Sequence, residues 1–282
     1  MKSAPKFFAP FLFLILFLLG QLPATTRAAE TPHFPDPRLE AAVRYQILAK
    51  RTNQEPLTVG ELASISFVDA PGRGITNLAG LEHCTSLASA TLSGNKITDL
   101  TPLAGLKVLQ QLDLATNLIR NLGPLARNLA LQYLQLEHNQ VADLVPLNGL
   151  TNLTSLYVTE NQLKSVASLT NIPRLGTLAA GQNQLHSIAG LDQLRRLTSL
   201  SLAQNRLTGL PPMGHWRDVT WLDLSKNKIR DLTPLYQAVT NDLAGRGEWA
   251  PFLRVRLEGN PLSSKSKRQL VELKQAGLPV QP

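Results

Sequence analysis

The sequence has 282 residues, of which 43% are hydrophobic, 17% are charged and only 5% are aromatic. This composition excludes a disordered chain and means that aliphatic side chains must fill the interior. The formal charge of +8 is modest, and because the basic residues are scattered along the sequence, a nucleic-acid binder is not indicated. The single Cys84 excludes an internal disulfide.

Residues 1–28 have the layout of a secretory signal peptide. Lys2 and Lys6 precede an apolar run over residues 7–19, and small residues such as Ala28 follow. This pattern predicts export, to the periplasm or out of the cell. The alternative is an uncleaved anchor, for which the run falls short of the roughly 20 residues that span a bilayer.

Cleavage is predicted after Ala28 or Ala29. The first bond is preferred because Arg27 lies three residues before the second, where a small residue is favoured. Removal of residues 1–28 takes away three basic residues and no acidic one, so the charge of the mature chain falls from +8 to +5. We expect no membrane span in that mature chain.

Residues 29–64 are predicted to form a helical N-terminal cap. Asp36 can cap a helix whose first position is Pro37. Thr58, followed by Glu61 three residues later, has the pattern of a capping box and predicts a second helix start.

Residues 65–262 contain nine copies of the pattern LxxLxLxxNxI. Seven copies follow one another at a constant 22-residue step, a degenerate first copy begins at Ile65, and the ninth begins at Phe252 after an 11-residue insertion. The seven regular copies, numbered two to eight, begin at Leu87, Leu109, Leu131, Leu153, Leu175, Leu197 and Val219.

The pattern predicts that each copy forms a short strand, a turn and a compact return segment. A single copy cannot bury its apolar side, so neighbouring copies must stack on one another. Alternation along the strand sends leucines inward and the intervening residues outward. A buried amide must be hydrogen-bonded, so the asparagine of each copy is expected to bond backbone groups at the turn, as a structural ladder. The ladder comprises Asn95, Asn117, Asn139, Asn161, Asn183, Asn205, Asn227 and Asn260.

The return segments, such as TPLAGL at residues 101–106 and VPLNGL at 145–150, carry proline near their start. Proline fixes its own backbone angle and lacks an amide donor, which favours short turns or 3-10 segments on the convex side over a second sheet.

The stretch NKITDLTPLAGLKVL at residues 95–109 resembles the internalin-like or SDS22-like class of bacterial leucine-rich repeats. The resemblance covers residues 65–262, and it implies an α/β fold: a right-handed, horseshoe-shaped solenoid with a parallel concave sheet. It further implies that proteins or other ligands bind on the concave face.

The insertion at residues 236–251 and the C-terminal cap at 263–282 complete the predicted organisation. Apolar residues in the insertion have helical spacing, which favours a longer convex helix over a ligand-contacting loop. The cap is predicted to be one helix. Its charged residues are interpreted as a solvated face rather than an anionic docking site; they are Lys265, Lys267, Arg268 and Lys274.

The outward positions of copies four to nine are the candidate partner-binding surface. Small residues in copies six and seven lie between an aromatic, acidic shoulder and a mixed-charge shoulder. The predicted binding residues are Tyr133, Gln135, Glu137, Tyr157, Thr159, Trp221, Asp223, Arg254 and Arg256. The alternative is that every concave face of this fold is polar and mildly aromatic, without preference for a ligand.

Catalysis is not indicated. The sequence lacks HExxH, GxSxG and GxxxxGK[ST] motifs and paired cysteines, so no catalytic residue, metal or cofactor is predicted. Cys84 occupies a core position. We therefore expect a monomeric, non-catalytic binding module for a protein or, as a less favoured ligand, a glycan. The alternative is a structural, self-associating envelope component; a hydrolase or a nucleic-acid binder is less favoured.

Overall fold

The computed structural model describes residues 32–214 and 216–281. The predicted signal segment and its cleavage sites lie outside the described residues. Most of the described chain is one stack of repeats, with helices at both ends.

Two helices precede the first repeat. Helix α1, Pro37–Gln46, begins after Asp36, whose carboxylate accepts a 3.0 Å hydrogen bond from the amide of Arg38. Helix α2, Val59–Ala63, begins after Thr58, and the reciprocal hydrogen bonds of a capping box with Glu61 are present. Both predicted helix starts are confirmed.

One parallel sheet follows the stack, with its strands in chain order from β1 to β10. The repeat strands are short, and each pairs in parallel with the next; from β1 to β8 every residue lies opposite its counterpart in the following copy, as Leu112 lies opposite Leu134. The strands are β1 Phe67–Asp69, β2 Ser89–Thr91, β3 Gln111–Asp113, β4 Tyr133–Gln135, β5 Ser155–Tyr157, β6 Thr177–Ala179, β7 Ser199–Ser201, β8 Trp221–Asp223, β9 Arg254–Arg256 and β10 Val280–Gln281. The predicted parallel solenoid is confirmed.

Leucines of successive copies share a single core. Leu92, Leu114 and Leu136 are fully buried, as are the leucines that begin most copies. The return segments on the opposite side are mostly single 3-10 turns, for example Thr101–Leu103 and Val145–Leu147, each with proline near its start. The convex side is therefore thin, as the proline positions predict.

The asparagine of each copy from the second onward bonds its own turn and the preceding copy. Asn139 is representative: its Oδ1 accepts a 2.9 Å bond from the amide of Ile119, and its Nδ2 donates to the carbonyls of Leu114, Leu136 and Glu137. Since Ile119 and Leu114 belong to copy three, the side chain fastens two neighbouring copies together.

Each of these asparagines follows a residue with left-handed backbone. The position is glycine near the ends of the stack, at Gly94 and Gly259, whereas the middle copies carry polar residues with φ between 51° and 56°. Those residues are Thr116, His138, Glu160, Gln182, Gln204 and Lys226.

The ninth copy keeps the predicted strand register but differs from the prediction at its first inward residue. Phe252, predicted to be its first inward residue, is 65% exposed, and Leu253 is fully buried instead. Phe252 ends a 3-10 turn, Ala250–Phe252, that the regular copies do not have at this point. Trp249 fills the adjoining space and donates from its indole nitrogen to the carbonyl of Val219 at 2.8 Å. The extra turn thus rotates Phe252 out of the core.

The insertion forms helix α3, Thr233–Ala244, which starts earlier than residue 236 because the TPL turn of copy eight continues into it. The C-terminal cap begins with helix α4, Ser264–Gln275. The prediction of a helix alone over residues 263–282 is wrong in one respect, because the chain returns after Gly277 and pairs with β9 as strand β10.

Candidate functional site

The concave face consists of the outward-pointing side chains of each strand. It also includes the side chain of the residue that lies two places after each strand. The paired strands place Tyr133, Tyr157 and Trp221 on this face together with Arg254. The apolar residues next to these positions in each strand are buried; they are Leu134, Leu156, Leu222 and Val255. The alternation of the repeat therefore delivers the predicted binding residues to one surface.

Two tyrosines form an aromatic pair on copies four and five. The ring centroids of Tyr133 and Tyr157 are 5.4 Å apart with planes tilted by 45°. Partial burial, with Tyr157, Asp113 and Glu137 nearby, raises the pKa of the Tyr133 hydroxyl. Tyr133 thus remains a neutral hydroxyl at physiological pH.

Polar side chains beside the pair bond to one another. Gln135 donates to the carboxylate of Glu137 at 3.1 Å, and its amide oxygen accepts a bond from the amide of Glu137. Thr159 is half-buried two residues after Tyr157. This arrangement fixes the orientation of Gln135 and Glu137 before any partner arrives.

Copies six and seven provide a floor of small side chains. Thr177, Ala179, Ser199 and Ser201 are half-buried on β6 and β7, and Gly181 is buried. A methyl group added at Gly181 would come within 3.2 Å of the carbonyl oxygen of Ala203. The floor is therefore closely packed, and between β5 and β8 it spans about 14 Å at the usual strand spacing.

The far shoulder differs from the sequence prediction at Asp223. Its side chain is only 6% exposed, and its carboxylate accepts a 2.6 Å bond from the hydroxyl of Ser225 and lies 3.5 Å from the guanidinium of Arg256. Arg256 also contacts Glu258 at 2.7 Å. Asp223 and Arg256 are thus engaged within the chain, while Trp221 and Arg254 stay accessible.

A further polar contact lies on the turns beside the tyrosines. His138 Nδ1 is 2.7 Å from a carboxylate oxygen of Glu160, whose other oxygen accepts a bond from Gln182. These residues occupy the same turn position in copies four, five and six. The left-handed turn that His138, Glu160 and Gln182 share brings the three side chains together, and no motif in the sequence indicates this contact.

Reactive groups are few. Cys84 is fully buried, and burial raises the pKa of its thiol to about 12, with a contribution from Glu82. Among the described residues, no group of three or more His, Cys, Asp or Glu side chains is placed to hold a metal ion.

The charge of residues 29–282 is unevenly distributed along the chain. Residues 172–282 hold fifteen basic and eight acidic residues, a net charge of +7, whereas residues 29–171 hold ten basic and twelve acidic residues, a net charge of −2. The signal is present in the sequence, but only the fold shows which of these charges share a surface.

Comparison with known proteins agrees with the geometry. Residues 85–127 and 130–171 match the family model described as Leucine Rich repeats (2 copies). The crystal structure of internalin C2 from Listeria monocytogenes superposes with a TM-score of 0.69 at 28% identity, covering 82% of this chain and 94% of that one. The chain carries leucine-rich repeats, and its solenoid is similar to that of the internalins.

Other solved structures share the fold of this internalin-like protein. A second internalin from Listeria monocytogenes has a TM-score of 0.51 at 23% identity, covering 88% of both chains. The leucine-rich-repeat ectodomain of a plant receptor kinase from Arabidopsis thaliana, solved in complex with Casparian strip integrity factor 2, has a TM-score of 0.57 at 21% identity and covers 66% of this chain and 26% of its own.

The comparison with curated proteins gives no match. Within the described parts of the internalin-like chain, no helix combines the length and apolar character required to cross a bilayer.

Proposed function

We propose that this protein is an exported, non-catalytic module that binds a protein partner on its concave face, across copies four to nine. The observation that carries the proposal is the aromatic pair Tyr133 and Tyr157, held on a rigid sheet opposite Trp221 with only small side chains between them.

Aromatic side chains at these positions suit a protein interface. Tyrosine and tryptophan contribute much contact area with few rotatable bonds, and they dominate the energetics of measured interfaces. The low floor over β6 and β7 allows a partner to approach the sheet closely. Arg254, exposed beside Trp221, adds a directional donor at the far shoulder.

We favour a protein over a glycan as the partner because of the side chains on the concave face, and not because of the similar solved structures. The plant ectodomain, solved with a bound protein factor, shares only the fold at 21% identity. The scarcity of unengaged carboxylates favours a protein, because Glu137 and Asp223 are already hydrogen-bonded within the chain.

The proposal is tested by double substitution of the tyrosines. Two concave-face variants are made: the double substitution Tyr133→Ala with Tyr157→Ala, and the single substitution Trp221→Ala. The control is Tyr45→Ala, which removes a 60% exposed tyrosine from α1. The bait is crosslinked to the envelope and medium fractions of the producing cell, and thermal unfolding is recorded in parallel. We expect the concave-face variants to lose the partner and Tyr45→Ala to retain it.

Equal retention by all variants, with unchanged melting temperatures, would remove the concave face from consideration. Export is tested separately by mass spectrometry of the N-terminus of the secreted chain. We expect it to begin at Ala29, and an intact N-terminus would favour the anchored alternative.

A further inference from the structure

The structure gathers six basic side chains on one edge of the solenoid, where the chain leaves strands β7 and β8 and where α4 begins. We name this surface the basic edge. It consists of Arg206, Lys226, Lys228, Arg230, Lys265 and Lys267, all of which are exposed.

The repeat itself aligns the first four. Arg206 and Lys228 follow the ladder asparagines of consecutive copies, and their amides donate to Leu185 and Leu207 at 2.8 Å in equivalent bonds. They therefore stack one above the other, about 5 Å apart at the strand spacing. Lys226 precedes Asn227 in the left-handed turn position, so it lies at the same edge.

Helix α4 brings the remaining two. The amide of Ser263, its N-cap, donates to the carbonyl of Arg230 at 2.9 Å, and the buried hydroxyl of Ser266 accepts a 2.9 Å bond from the amide of Leu232. These bonds fix the first turn of α4 against copy eight. Lys265 in that turn consequently lies near Asp231, the residue after Arg230, and Lys267 lines a cavity with Gly259, against which Lys226 packs.

These cations have little compensation within the chain. Across the described residues, none of the six is within 4.0 Å of a carboxylate. The nearby carboxylates of Asp231, Glu258 and Glu272 are bonded to Thr233, Arg256 and Tyr236 respectively. Asp231 lies close enough to Lys265 for that charge to lower the pKa of the Asp231 carboxyl, after the stronger effect of the hydrogen bonds from Thr233.

The residue types of the basic edge indicate which class of anionic partner it binds. Lysine is depleted at the centres of protein interfaces, which rely on aromatic residues and arginine, yet four of the six residues are lysines and none of the set is aromatic. A helix that inserts into the surface of a bilayer has an apolar face beside its charges, whereas on α4 the large exposed apolar residue is Val271 alone. A flexible chain with repeated anionic groups fits the edge best.

We propose that the basic edge binds a linear anionic polysaccharide, at a site separate from the concave face. Flexible lysine ammonium groups on copy eight and helix α4 can each approach a sulfate or phosphate group without a fixed geometry, and Arg206 of copy seven extends the row. The expected affinity is strongly dependent on salt, because binding releases the counterions of the polymer.

Heparin serves as the probe for the full-length chain, with titrations at several salt concentrations. The edge variant replaces four lysines by glutamine: Lys226, Lys228, Lys265 and Lys267. The matched control also removes four exposed cations, from the first half of the stack: Lys96, Lys107, Arg120 and Lys164. We expect the edge variant to bind at least about tenfold more weakly with a shallower salt slope, and the control to change less than twofold.

A second measurement uses the unsubstituted protein. Acetylation of lysines with and without heparin, followed by mass spectrometry, should show protection at Lys226, Lys228 and Lys267. Equal loss of affinity in both variants, or protection elsewhere, would overturn the proposal. So would tighter edge-dependent binding to duplex DNA, to polyglutamate or to anionic vesicles, since each assigns the edge to another partner.

Discussion

The middle copies of the stack and its last copy bury the same kind of core in different ways. In copies three to six a leucine opens the repeat, a short 3-10 segment closes it, and the step from one copy to the next is constant. Between copies eight and nine helix α3 replaces the turn and lengthens that step, and Leu253 takes the place that the pattern gives to Phe252.

This difference shows which features of the repeat are fixed by packing. The strand, its inward residues and the ladder asparagine keep their positions, because they contact the neighbouring copy directly. The convex side carries neither strand pairing nor a ladder asparagine, and it accepts a 12-residue helix without disturbing the pairing of β8 with β9. The following predictions test that distinction.

The largest expected effect separates the two candidates for the first core position of copy nine. Leu253→Ala should lower the free energy of unfolding by about 2–5 kcal/mol, because it empties a fully buried site. Phe252→Ala should change it by less than about 0.5 kcal/mol, as is usual for surface substitutions. Denaturant titration of both variants measures the difference, and the reverse order would place Phe252 rather than Leu253 in the core.

The next largest effect is expected at the ladder asparagines, where a substitution in the middle of the stack is compared with one in the last copy. Asn139→Ala leaves several buried backbone groups without partners and should cost about 3 kcal/mol. Asn260 is less buried and makes three such bonds, so Asn260→Ala should cost clearly less. The surface substitution Asn241→Ala is the control for both. Equal costs at the two ladder positions would mean that the ladder does not act through burial.

A smaller effect concerns the N-terminal cap and pH. Burial acts to raise the pKa of Asp36, but hydrogen bonds from Thr76 and Arg38 outweigh it, and the pKa lies below its usual 3.8. The folded state therefore gains stability above pH 4 that is lost as the pH falls through the lowered pKa. Asp36→Asn should reduce the stability difference between pH 7 and pH 3, because the substituted side chain no longer titrates. An unchanged difference in thermal or denaturant unfolding would contradict this.

The smallest effect compares the left-handed turn position at an end and in the middle. Gly94→Ala should cost about 1 kcal/mol, because φ is +68° there and an added side chain resists this conformation. Gln204→Gly removes that resistance at φ 56°, and should cost nothing or stabilise the fold by at most about 0.5 kcal/mol. Calorimetry measures whether each substitution lowers or raises the stability of the fold. Destabilisation by both substitutions would show that the Gln204 side chain contributes contacts of its own.

Much of the fold could be predicted from spacing alone. The constant period places each strand, and alternation within it assigns Leu134 and Leu156 inward and Tyr133 and Tyr157 outward, as the structure confirms. Capping chemistry likewise located the starts of α1 and α2. These features depend on residues close in sequence or separated by one constant step.

The remaining features depend on contacts without a constant step. Burial of Asp223 requires Arg256 from an insertion-shifted copy, and the exchange of Phe252 for Leu253 requires the packing of Trp249. Strand β10, Val280–Gln281, is too short for any periodic signal. The basic edge combines repeats with a cap helix, so residues scattered in the sequence become neighbours only after folding.

The asparagine ladder also has a mechanical consequence. From the second copy onward, each amide is bonded to its own copy and to the one before it, and to no copy further away. Under tension applied to its two ends, such a molecule should come apart one module at a time, in a series of similar small force peaks rather than a single rupture.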